Sequence, residues 1–127
     1  MNRAILLVPI FLLTGALLAE EPPDWAKRDY AAPVNQVFAA ALKSIQRQGH
    51  EVKSTDEANH TIDFHVGTTA WSWGYNMRLS VTPMDEGHSR VVVGVARSGG
   101  KAVSWGSGKK EVRKILDGID TELAGHK

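Results

Sequence analysis

The sequence predicts an α+β fold in which a four-stranded antiparallel meander carries two helices on one face, in the order α-β-β-β-β-α. Three observations predict it. Apolar residues recur at a spacing of three and four near each end of the body of the chain, they alternate with polar residues between those stretches, and short turn signals separate the alternating runs. Each helical stretch has one apolar stripe, so both are buried most economically by lying side by side on the same sheet face.

The first helical stretch opens at Pro33, whose missing N–H suits a first helical position, and carries Val34, Val37, Phe38, Ala41, Leu42 and Ile45 on one stripe. Gly49 ends it, as the residue best able to adopt the left-handed conformation. A first strand follows over residues 50–54, and Asp56, Glu57, Ala58 and Asn59 make a polar turn. In the second strand His60, Ile62, Phe64 and Val66 alternate with Thr61, Asp63 and His65. The third, residues 74–82, points Tyr75, Met77, Leu79 and Val81 inward and Asn76, Arg78 and Ser80 outward, and Pro83 is expected to stop it. After the turn at Asp85, Glu86 and Gly87, the fourth strand, residues 89–97, sets Val91, Val93 and Val95 against Arg90, Val92, Gly94 and Ala96.

Residues 98–108 are rich in Gly and Ser and read as a loop. Val112, Ile115, Leu116, Ile119 and Leu123 then restore the helical stripe, with Ser107 or Gly108 as the cap and Glu111 in the first turn, where a carboxylate meets the positive helix end. Gly118 inside this helix costs about 1 kcal/mol relative to alanine, which marks a place where something packs close.

Ahead of this body, residues 1–19 have the form of a signal peptide. Arg3 precedes an apolar run over residues 4–13, shorter than the ~20 residues of a spanning helix, and Ala19 suits the position before a cleavage site. Cleavage there leaves a mature chain with no transmembrane segment, in the periplasm or secreted, beginning with a Pro-rich flexible leader over residues 20–32. The leader ties to the body through Trp25 or Tyr30, and residues 33–124 form one α+β domain. The absence of cysteine excludes disulfides, thiolate metal sites, a cysteine nucleophile and a lipidated N-terminus. The 15 basic and 14 acidic residues, balanced once Arg3 is removed, argue against nucleic acid as a partner.

No assembled catalytic set is visible. Gly106, Ser107 and Gly108 lack the wider nucleophile-elbow spacing, and the stretch before Lys109 has Val103 where a phosphate-binding loop needs glycine. His60 and His65 point to opposite faces of one strand, so no metal or cofactor site is expected. Two candidate surfaces remain. Trp71, Trp73 and Tyr75 alternate, and with Trp105 they form either an aromatic rim for a ligand or a plug closing the core. The same tryptophans also suit a membrane headgroup layer. Asp63, His65, Asn76 and Arg78 share the outer sheet face, either as a polar site for a small hydrolase or transferase or as ordinary cross-strand pairs.

The element order, with Phe38, Ala39, Ala40, Ala41 and Leu42 leading to Gly49, His50, Glu51 and Val52, resembles the helix-grip domains of bacterial envelope proteins. These include the C-type lipoprotein of the outer-membrane β-barrel assembly machinery and small exported proteins. The resemblance implies an envelope setting and an architecture but supplies no functional residues. With no catalytic set and an export signal, the sequence points to an exported, non-catalytic binding or interaction module whose partner is an envelope protein or glycan.

Overall fold

The computed structural model describes residues 22–67, 74–96 and 108–125, together with the backbone of residues 103–104. It has an antiparallel sheet with two helices, as the sequence predicts, but the sheet is larger and begins earlier than expected. A 3-10 turn, Asp24–Ala26, leads into strand β1, Lys27–Tyr30. Helix α1, Val34–Arg47, follows, then strands β2 (Glu51–Asp56), β3 (Thr61–Val66), β4 (Tyr75–Asp85), β5 (His88–Ala96) and the two-residue β6 (Val103–Ser104), and helix α2, Lys109–Ala124. The sheet order is β1-β5-β4-β3-β2, and β6 also pairs with β5. The four expected strands form the meander β2 to β5, so the predicted count and order are corrected by a fifth strand that precedes the first helix.

That strand lies in the stretch expected to be a flexible leader. Its sequence hides it, because Lys27, Arg28 and Asp29 obscure any alternation. Its register nevertheless pairs Lys27, Arg28, Asp29 and Tyr30 with Val92, Val91, Arg90 and Ser89. Tyr30 is buried and donates its hydroxyl to the Leu116 carbonyl at 3.0 Å, and burial pushes its phenol well above the ordinary range. Arg28, also on the helix side, reaches Asp120 at 2.7 Å and Asp117 at 3.1 Å on α2.

The core between sheet and helices holds Val37, Phe38, Ala41 and Ile45 from α1, Val112, Ile115, Leu116 and Ile119 from α2, and the inward residues of β3, β4 and β5. The helices approach closely at Gly118. There Ser44 donates to the Ile115 carbonyl at 2.9 Å and Gln48 to the Lys114 carbonyl at 2.7 Å.

Helix ends explain two local differences. Pro33 takes the cap position, so the helix begins one residue later than expected, and its carbonyl accepts from Val37 and Gln36. Gly49 has φ +84°, donates to Gln46 and leaves His50 to donate to Ile45 at 3.3 Å, a Schellman closure that turns the chain into β2. Pro83 does not stop β4. It sits beside a register shift, beyond the last β3 partner at Ser80, where a strand tolerates proline.

Candidate functional site

The side chains left on the outer sheet face follow from register. β3 and β4 pair Asp63 with Arg78 and His65 with Asn76, on neighbouring rungs, so the four residues selected from the sequence lie together. Arg78 donates from Nε to Asp63 Oδ1 at 2.7 Å, and Ser54 on β2 donates to Asp63 Oδ2 at 3.4 Å. His65 Nδ1 meets Asn76 Oδ1 at 2.8 Å, a contact in which the ring nitrogen donates to the amide oxygen. Gly74, with φ +78°, comes in beneath that ring, and a Cβ there would lie 2.8 Å from His65 Nε2. On β1 and β5 the same face carries a second fork, with Arg90 donating from Nε and Nη2 to Asp29 at 2.6 and 3.0 Å. This bonding to Arg90 holds the Asp29 carboxyl below its usual range.

Chemically, the pairing decides more than the proximity. A general base of the His-carboxylate type needs the carboxylate on the imidazole, and here Asp63 is committed to Arg78 while His65 is oriented by an amide. Asp63, His65, Asn76 and Arg78 therefore form a paired polar surface in which no carboxylate sits on the imidazole; the described His–carboxylate contact of that kind, His88 Nδ1 to Asp85 Oδ1 at 2.8 Å, lies at the β4–β5 turn.

Of the aromatic group, Tyr75 is half-buried at the start of β4 and packs against the core; Trp71, Trp73 and Trp105 lie outside the described residues. Tyr75 belongs to a cluster that sequence reasoning missed. Burial, and then the nearby Glu111 carboxylate, push its phenol upward. Gly108, at the cap of α2 with φ +82°, sits so close that a Cβ would be 3.6 Å from the Tyr75 ring. Glu111 also faces His50, which stacks on Phe64 with ring centroids 5.9 Å apart. The His50 Nε2 lies 4.0 Å from Glu111 Oε1 and is sealed from solvent without a hydrogen-bond partner. The signal for His50 was its place directly after the helix-ending Gly49, where the Schellman closure directs the next side chain inward.

No group of three or more His, Cys, Asp or Glu able to hold a metal occurs among the described residues, and no helix there is long and apolar enough to cross a membrane. No family model matches the chain, and no curated protein matches it. Among solved structures, the fold is similar to that in the crystal structure of TTHA0849 from Thermus thermophilus. The match has 14% identity and a TM-score of 0.51, and covers 80% of this chain and 97% of that one. At that identity the likeness is one of fold.

Proposed function

We propose that this chain is an exported, non-catalytic binding or interaction module of the bacterial envelope, whose working surface is the outer face of the sheet. The observation that carries the reading is the mutual commitment of the polar groups on that face: Asp63 to Arg78, Asp29 to Arg90, and His65 to Asn76. Paired side chains held on rigid strands present a preorganised pattern of donors and acceptors, which suits recognition of a polar partner. The commitment of Asp63 to Arg78 weighs against the alternative of a small hydrolase or transferase that would use this carboxylate to accept a proton from substrate.

The signal-peptide pattern of residues 1–19 and the resemblance to helix-grip envelope domains support the setting, and an envelope protein or glycan is the partner class that follows from it. The aromatic-rim reading rests on the sequence spacing of Trp71, Trp73, Tyr75 and Trp105, of which only Tyr75 lies among the described residues.

The test compares the immobilised wild-type chain with the double variant Asp63→Ala, Arg78→Ala. The pair is half-buried on the sheet face, and removing both partners together leaves no unpaired charge behind, so the variant is expected to stay folded. Retention of envelope proteins or glycans is expected to fall at least tenfold. Equal retention by a folded variant would refute this surface, and hydrolytic turnover abolished by His65→Ala would replace it with the catalytic reading.

A further inference from the structure

The corner where α1 turns into β2 meets the first turn of α2 through one side chain, His50. The Schellman closure fixes its backbone, with the His50 N–H on the Ile45 carbonyl. The imidazole is nine-tenths buried, lies on Phe64 at an interplanar angle of 28°, and directs Nε2 at Glu111 across a gap of 4.0 Å. That gap exceeds hydrogen-bond reach, and Nε2 has no other partner. Every other buried side-chain nitrogen and oxygen among the described residues is hydrogen-bonded, so this atom is singular.

We propose that His50 is an acid-released latch: as a neutral ring it closes the α1–β2 corner against the first turn of α2, and on protonation it leaves that seat and opens the Tyr75 end of the molecule. The packing gives the direction. A neutral imidazole lies well on Phe64, whereas an imidazolium there carries a charge cut off from water. The charged groups that act on it are both on α2, Glu111 favouring the cation and Lys114 opposing it; Phe64, from β3, is apolar. Burial is the largest influence and outweighs Glu111, so the titration of the seated ring is held below the ordinary value of 6.5.

The sign follows by linkage. A histidine whose folded value is depressed is seated in full above the unfolded value of 6.5, and the closure it provides is lost as pH falls below that point. Each unit of depression makes acid opening about tenfold easier at its limit. Opening frees the first turn of α2 at Glu111, and with it Gly108 and the ring of Tyr75 that they cover.

Imidazole NMR and amide hydrogen exchange on the chain test this together. The expected His50 midpoint lies below 6.5, and exchange at Val112, corrected for intrinsic rates, rises several-fold relative to Ile119 between pH 7.5 and 5. Glu111→Gln is expected to lower the midpoint and Lys114→Gln to raise it. His50→Phe keeps a ring on Phe64 without a titrating proton and is expected to abolish the acid response of Val112. A midpoint at or above 6.5, or an undiminished acid response in a folded His50→Phe chain, would overturn the latch. Should His50→Phe fail to fold, the midpoints of the two α2 variants decide: opposite shifts support the latch, and shifts in the same direction or none overturn it.

Discussion

Replacing Gly118 by alanine tests the helix packing against the ordinary rule of helix propensity. In an exposed helix interior the change would stabilise by about 1 kcal/mol. Here the added methyl would overlap Ser44 Oγ and lie 2.9 Å from Gln48 Nε2 and 3.1 Å from Ser44 Cβ. These atoms belong to buried or half-buried side chains that bridge the helices, so they have little room to yield. Overpacking of this kind costs about 1–3 kcal/mol. Displacing Ser44 from the Ile115 carbonyl leaves a buried hydroxyl unsatisfied, for about 1–3 kcal/mol more. Net of the propensity gain, Gly118→Ala should destabilise by about 1–5 kcal/mol in urea denaturation. Ser44→Ala in the same chain should recover part of the loss, because it removes the atom struck first. A Gly118→Ala chain as stable as wild type, or more so, would refute the close approach.

Three further outcomes follow from the packing. Phe38→Ala should cost about 3–5 kcal/mol in chemical denaturation, because the ring lies in the core edge-on to His60, whereas exposed Asn35→Ala should change little. Tyr30→Phe should cost about 1 kcal/mol and loosen β1 in hydrogen exchange, since it deletes the bond to the Leu116 carbonyl. Because Arg90 holds Asp29 below its ordinary value of 3.8, the stabilisation from that pair should be present above 3.8 and fade as pH falls below it. Carboxyl NMR should show this shift reverting in Arg90→Ala.

The helices and the meander were legible because burial imposes period: Ile62, Phe64 and Val66 on β3, or Val112, Ile115 and Ile119 on α2, can face one core only with that spacing. Gly49 and Gly118 were legible for conformational and steric reasons that their positions satisfy. β1 was hidden because its pairing with β5 is long-range and its Arg28 faces inward yet remains charged, satisfied by two α2 carboxylates that no local pattern reveals. The polar face was legible as a set, since alternation places Asp63, His65, Asn76 and Arg78 outward. Who pairs with whom required the register, which sets Asp63 opposite Arg78 and His65 opposite Asn76. His50 and Glu111 stand far apart in sequence, and only the docking of α2 brings them to 4.0 Å.

Whether the outer sheet face meets a partner is addressed most directly by site-specific photo-crosslinking in the envelope. A photoreactive residue at Ser80 or Thr61, neighbours on that face, should yield an adduct of one common mass, and one at Gln46 or Arg113, exposed on the helices, should not. Adducts confined to the helix positions, or none at Ser80 and Thr61 in a folded and exported chain, would contradict a working surface on the sheet.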